Sequence, residues 1–386
     1  MSTHSNGMPV LPKEAYTSQE WFDREQAQIF SKTWSLAGFR EDITEPGQYI
    51  SVQAGLNNIF IVMGRDHRLR AFHNICRHRG TQLLRAEGKT QKAITCPYHD
   101  WTYDLEGNLI SVPEQEKEFP DIDLSCNGLK KASVDIWRGM LWVHPDENAP
   151  SIINWFGEVE PYLAPYDPAG LIETEEGYSK HEIKANWKII VENYIDGYHL
   201  AHLHSHTLNM YDHSKIECEF IGPHFAFWEP LADFYAAEVE KVTPMPLIPG
   251  IPKDKMGAWV PMLFPGIGLG ESENSWSTFH ITPIAPDRSM VEIRTRVANE
   301  STWAFTKAAM ASASFWDKHL GAKYNEDPKV DPMSSGDFMQ EDIYACEQQQ
   351  KSLQSPYFEH GPSSKHGEKP VRDHQRVVAE WVERKP

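Results

Sequence analysis

The sequence predicts an α+β protein in two parts, a small all-β domain followed by a larger domain in which an antiparallel sheet wraps long helices. Three observations predict it. Between Gly47 and Pro145, short apolar runs alternate with turn residues. Pro and Gly then cluster over 145–170, and beyond that linker helical periodicities alternate with strand-like ones. A length of 386 residues is also too great for one ordinary core.

Taken in order, Ser18 is placed to cap a helix running to about Trp34, with Trp21, Phe22, Ile29 and Phe30 as its apolar residues. Residues 59–63, 69–75, 94–103 and 137–144 read as strands, with turns at 65–67 and 106–108. Past the linker, residues 186–198 have helical period, and 216–234 and 276–297 read as strands. The second of these contains a hairpin whose returning arm alternates cleanly at Val291, Ile293, Thr295 and Val297. Helices are expected again over 302–320 and 337–353. The expected organisation is an N-terminal helical segment at 1–35 packed on the larger domain, the β domain at 36–150 and the larger domain at 151–386.

Composition narrows the partners. With 55 acidic against 37 basic residues the net charge is −18, which repels nucleic acid and anionic membrane surfaces. No stretch approaches the roughly 20 apolar residues of a membrane span, and the N-terminus lacks a secretory pattern. A cytoplasmic, reducing location follows as the expectation, where five cysteines need not pair. Cys126, Cys218 and Cys346 are expected to be buried free thiols.

Cys76 and Cys96 differ from those three because each has a histidine nearby. Cys76 and His78 form one pair, Cys96 and His99 another, and 17 residues separate the pairs. Each pair fits a short loop offering a thiolate and an imidazole from one side, so two loops can enclose a metal centre. Zinc is the simplest occupant of a Cys2His2 set. Against it, zinc fingers segregate cysteines and histidines on separate elements, whereas each loop here mixes them.

A second group lies in NWKIIVENYIDGYH and its continuation LAHLHSH. Trp187, Ile190, Val191, Tyr194, Ile195 and Tyr198 make one apolar stripe, with Asp196 opposite and Asn193 and His199 beside it. A solvated polar face would account for that arrangement. Helical spacing alone would favour His202 with His206, or His199 with His202, as chelating pairs.

The motifs resemble a known family. C-R-H-R-G followed by C-P-Y-H-D-W resembles the Rieske motif, and D-x2-H-x4-H after N-W-K and E-N-Y resembles the mononuclear iron motif of Rieske non-haem iron oxygenases. The likeness is to catalytic α subunits of the aromatic-ring-hydroxylating dioxygenase family, and it runs from the N-terminal helix to VRDHQRVVAEW. It implies a Rieske [2Fe–2S] domain with ligands Cys76, His78, Cys96 and His99, at a potential of roughly −150 to +300 mV. It implies a helix-grip catalytic domain whose non-haem Fe(II) is held by His199, His204 and Asp342, leaving His202 and His206 as bystanders. Since His199 and His204 are five apart, the helix must loosen or end between them. Glu341 and Asp337 are the neighbouring acids, and Asp337 suits a helix cap.

The resemblance further implies electrons from NAD(P)H through a separate reductase, sometimes with a ferredoxin, and a homotrimeric ring. In that ring Asp196 would bridge His99 of a neighbouring subunit and its own His199. The expected reaction is O2-dependent hydroxylation of a small aromatic substrate. The alternative is monooxygenation or demethylation of a quaternary ammonium or methylated amine compound. Relatives of that type often carry E-C-Y-H where this chain has Asp196-Gly197-Tyr198-His199. A Rieske electron carrier without oxygenase activity is a third reading. Cavity walls are expected from 220–235, from 259–264, and from Phe305 or Phe315.

Overall fold

The computed structural model describes residues 10–90, 92–166 and 168–384, so the start of the expected N-terminal segment lies outside the described residues. The chain divides into two compact units, Arg24–Trp155 in one, and the stretches up to Asp23 and from Phe156 onward in the other. The boundary expected between residues 35 and 36 therefore falls earlier. The helix expected to reach Trp34 runs regularly only over Gln19–Glu25, then widens into a π turn at Gln26–Phe30. Ser31 Oγ accepts from the Leu56 N–H at 2.9 Å, which ties this stretch to the β unit.

In the β unit, chain order gives β1 Ser35–Phe39, β2 Gln48–Ala54, β3 Asn57–Met63, β4 Leu69–His73, β5 Glu87–Lys89, β6 Ile94–Thr95, β7 Thr102–Tyr103, β8 Leu109–Ser111, β9 Lys131–Trp137 and β10 Met140–His144. Seven of them form a sheet ordered β1-β10-β9-β4-β3-β2-β5, and β6-β7-β8 form a second. β3 is buried on both faces, which explains its unbroken apolar run. Ile59, Ile61 and Met63 enter one cluster, while Phe60 and Val62 enter another that also holds Cys76, Cys96, Trp101 and Tyr103. The large sheet thus supplies the floor of the cysteine loops.

Three strand expectations change, one of them 216–234, which is two antiparallel strands, Glu217–Ile221 and His224–Pro230, joined by a turn at Gly222. Residues 94–103 are not one strand but β6 and β7 flanking a loop. Residues 137–144 span the turn of a hairpin, where Arg138 and Gly139 both have positive φ (48° and 77°), the conformation a tight two-residue turn requires.

The second unit is built on β11 Leu171–Ile183, β12 Glu217–Ile221, β13 His224–Pro230, β14 Gly257–Trp259, β15 Met262–Leu263, β16 Ile267–Glu271, β17 Ser275–Ala285 and β18 Arg288–Ala298. The sheet is ordered β11-β18-β17-β16-β14-β13-β12, with β15 pairing β13 and β16. β11 went unread in the sequence because it is an edge strand, largely uncovered and with a register shift after Glu173.

Helix Trp187–Ile195 lies against this sheet. Asn186 caps it, its side chain accepting from the Lys188 N–H, while the Asn186 N–H donates to Gln350 Oε1 at 2.8 Å. Tyr194 Oη donates to Leu269 O at 2.7 Å, and a Cβ at Gly268 would come within 2.6 Å of the Tyr194 ring. The expected amphipathic stripe gives way to burial all round, since Lys188 and Glu192 are buried as well. Helices Thr302–His319 and Phe338–Leu353 fall where expected, and Lys369–Val382 follows. The N-terminal stretch joins this unit through Tyr16, whose Oη donates to Glu192 Oε1 at 2.6 Å and accepts from Gln375 Nε2.

Cys346 is buried, but Cys126 and Cys218 are exposed, contrary to expectation. They sit on a surface 3-10 turn and on the edge strand β12. Among the described residues, no helix is long and apolar enough to cross a membrane.

Candidate metal centres and substrate cavity

The two cysteine loops have the same main-chain path. Cys76 N–H donates to Thr81 O (2.9 Å) and Gly80 N–H to Cys76 O (3.0 Å); Cys96 N–H donates to Trp101 O (2.8 Å) and Asp100 N–H to Cys96 O (3.1 Å). The fourth residue after each cysteine has positive φ, 78° at Gly80 and 55° at Asp100. Each loop thereby turns its histidine back over its cysteine's side of the sheet. His78 and His99 meet with ring centroids 4.6 Å apart, above two buried thiols.

Trp101 stacks on His78 at 4.9 Å and is itself buried, while Tyr98 is exposed and lies 3.7 Å from the His99 ring. Tyr103 Oη accepts from the Arg77 N–H at 2.9 Å and lies 3.4 Å from Cys76 Sγ, to which it can donate. Burial raises the Cys76 thiol, and the adjacent Cys96 thiol adds to the rise against the Tyr103 hydrogen bond. Two buried sulfurs beside two imidazoles, with His78 Nδ1 buried and lacking a hydrogen-bond partner, fit a cluster bound by mixed Cys/His ligation.

In the second unit the chain breaks at Asp196, which ends helix Trp187–Ile195 and caps helix Gly197–Leu203, accepting from the Tyr198 N–H at 2.8 Å. The break falls before His199, and the second helix ends at Leu203, so His204 stands at its C-cap outside helical geometry. This is how two histidines five apart come to face one point. His199, His204 and Asp342 offer ligand atoms within 4.8 Å of one another. His204 Nε2 lies 3.0 Å and His199 Nε2 3.6 Å from Asp342 Oδ1, which also accepts from Asn193 Nδ2 at 3.2 Å.

Both imidazoles have a carboxylate on the far side. His199 Nδ1 is 3.4 Å from Asp196 Oδ2, and His204 Nδ1 is 2.8 Å from Glu341 Oε2. Glu341 is fully buried and also accepts from Thr207 Oγ1 at 2.8 Å. Burial pulls the His204 pKa down, but Asp342 and Glu341 outweigh it and hold it above the ordinary value. A place that favours positive charge on a buried imidazole also suits a metal cation, and two histidines with one carboxylate are the donor set of non-haem iron. His202 and His206 are exposed and turned away, and Asp337 caps helix Phe338–Leu353 through the Met339 N–H.

The triad opens on a cavity of about 630 Å³. Phe227 and Tyr235 from the expected 220–235 stretch line it, and so does Val260. Phe305 and Phe315 are not among the described lining residues; Trp316 lines the cavity, and Phe315 packs beside it against the cluster that holds Tyr235. The sequence could not separate 315 from 316, since both are aromatic on one helix.

This pairing of a small β domain holding mixed Cys/His loops with a grip of sheet on helix holding a two-histidine, one-carboxylate site defines a class. The model of the Rieske [2Fe–2S] domain matches residues 33–131, and that of the ring hydroxylating alpha subunit (catalytic domain) matches 173–384. The chain belongs to the family of ring-hydroxylating α subunits, whose cofactors are a Rieske [2Fe–2S] cluster and a mononuclear iron.

Among curated proteins the chain is 36% identical over 210 residues to the glycine betaine monooxygenase oxygenase subunit of Chromohalobacter salexigens, covering 54% of this chain and 46% of the relative. It is 34% identical to the carnitine monooxygenase oxygenase subunit of Acinetobacter baumannii (50% and 52% covered), and 33% identical to the biphenyl 2,3-dioxygenase α subunit of Rhodococcus jostii (49% and 42%). The chain thus spans about half the length of the curated relatives it matches. Among solved structures, a quaternary ammonium Rieske monooxygenase shares the fold with a TM-score of 0.74 at 22% identity, over 98% of this chain and 95% of that one.

Proposed function

We propose that this chain is the oxygenase component of a Rieske non-haem iron monooxygenase acting on a quaternary ammonium or methylated amine compound. The observation that carries the oxygenase reading is the convergence of His199, His204 and Asp342 on the wall of a cavity. A bare electron carrier has no use for such a site. Relatives acting on glycine betaine and carnitine support the ammonium reading over the aromatic substrate expected first, and aromatic rings lining the cavity suit a methylated cation as well as an arene.

In this reading Cys76, His78, Cys96 and His99 hold the cluster, and His199, His204 and Asp342 hold the iron. Bound iron supplies reductive activation of O2. The chain supplies the rest. Glu341 fixes the His204 ring by accepting from Nδ1, Asn193 holds the Asp342 carboxylate, and the buried cavity walls exclude water from the substrate. Electrons come from NAD(P)H through a reductase, sometimes with a ferredoxin, and the subunits assemble as a trimer in which Asp196 bridges its own His199 and the His99 of a neighbour.

Oxygen uptake with NADH and a reductase, followed across methylated ammonium compounds and aromatic acids, tests the function. Uptake with stoichiometric aldehyde release from an ammonium compound is expected; coupled hydroxylation of an arene alone would overturn it. For Asp196, the Asp196→Asn variant is expected to keep both iron centres by metal analysis, yet to lose most coupled turnover. Normal product formation in that variant would remove Asp196 from the bridge.

A further inference from the structure

The charges around the cavity narrow the substrate beyond the family, on the basis of the function proposed above. Glu229, Glu271 and Glu273 all line the cavity and are all buried. Among the described lining residues there is no Lys or Arg. Glu229 is matched by His213, whose Nδ1 lies 2.8 Å from its Oε2. Glu273 is different. Its Oε1 accepts from Tyr235 Oη at 2.8 Å, but its Oε2 is buried with no hydrogen-bond partner.

Burial raises the Glu273 carboxyl above its ordinary value, opposed only by backbone and Tyr235 hydrogen bonds. The Tyr211 phenol on the same wall is also raised, first by burial, then by Glu273, Tyr235 and Glu229. Glu229, Glu271 and Glu273 thus share the lining with the Tyr211 and Tyr235 phenols, and the His213 imidazole is paired with Glu229. A buried carboxylate with a spare oxygen costs free energy unless a cation meets it. A substrate carboxylate placed beside Glu273 would meet the repulsion of a like charge.

We propose that the substrate is a net cation, a methylated ammonium compound without a carboxylate, and that Glu273 is its counter-ion, with Tyr235 as the positioning residue. The ammonium sits against Tyr211, Tyr235 and Trp316, where methyl groups contact ring faces and the charge is met by Glu273 Oε2. Zwitterions such as glycine betaine and carnitine, the substrates named for two relatives, are therefore disfavoured here.

Calorimetric titration of the iron-loaded protein tests this with three probes: choline, its neutral isostere 3,3-dimethylbutanol, and glycine betaine. Choline is expected to bind about tenfold or more tighter than either of the others. Glu273→Gln is expected to remove about tenfold or more of choline affinity while leaving the isostere unchanged. Tyr235→Phe, which keeps the ring, should raise KM for choline with little change in kcat. Thermal melting and the cluster's absorption confirm that each variant is folded.

Glycine betaine bound as tightly as choline, or a Glu273→Gln variant with unchanged selectivity, overturns the inference while leaving the ammonium reading standing. Binding of neither ammonium compound overturns both.

Discussion

Glu341 and Asp342 are adjacent in the chain yet meet opposite nitrogens of a single imidazole, at 2.8 and 3.0 Å from His204 Nδ1 and Nε2. Successive helical residues point about 100° apart, so a ring placed between them can be held from both sides. Hydrogen bonding at Nδ1 orients the ring and raises its basicity as a ligand. Glu341→Ala is expected to weaken ferrous iron retention roughly 10–100-fold, read as iron lost to a chelator, with the [2Fe–2S] absorption unchanged. Glu341→Gln, which keeps an acceptor, should recover much of it. At this scale the spacing of Cys76–His78 and Cys96–His99 marked two matching loops, whereas helical spacing alone favoured His202 with His206 or His199 with His202, and only the family resemblance pointed to His199 with His204. The sequence could not assign Glu341 a role of its own, since two neighbouring acids on one helix look alike until His204 is placed between them.

The decisive element is the broken helix at 187–203. Its first half is fixed by Asn186 at one end and by Tyr194 laid over Gly268, while its second half carries the histidines. Because a Cβ at Gly268 would come within 2.6 Å of the Tyr194 ring, Gly268→Ala is expected to push Tyr194 off β16. The cost is about 1–3 kcal/mol of stability, measured by urea unfolding, with weakened iron binding following from the displaced helix. Helices and strands with clean periodicity were legible, and so was the need for a helix interruption near the histidines. The interruption's place was not. Asp196 reads as mid-helix by apolar period, and only its side chain's bond to the Tyr198 N–H reveals that one helix ends and another begins there.

In the unit that carries the iron site, helices Trp187–Ile195 and Lys369–Val382 enclose charges of their own. His374 is 2% exposed, stands edge-on to Trp187 at 5.7 Å, and has no hydrogen-bond partner at either nitrogen. Burial, then the nearby Lys188, lowers its pKa from 6.5 to about 3, although Glu192 Oε1 lies 3.9 Å from Nδ1. The unfolded chain therefore takes up a proton between about pH 6.5 and 3 that the folded chain refuses. Stability is full above that window and falls as pH drops through it, by up to about 1.4 kcal/mol per pH unit. His374→Leu should flatten the acid limb of a stability–pH curve by about one proton. The division into a β part and an α+β part was visible in the changing periodicity along the chain. The charge of the cavity was not, because Glu229 and Glu273 lie on and beside different strands and nothing local to either marks it as facing a ligand.

The matching hydrogen bonds of the two cysteine loops have a consequence for the β unit. Segments 76–81 and 96–101 are conformational duplicates, closed by the same two hydrogen bonds and turned by the same left-handed residue. The backbone at this end of the unit is a near-symmetric clasp, with no front or back of its own. Side chains give the two jaws their difference: Tyr103 Oη bonds at the Cys76 jaw, Trp101 stacks on His78, and His99 lies beside the exposed Tyr98. A handful of aromatic groups therefore turns an unbiased cradle into one with a sealed side and an open side.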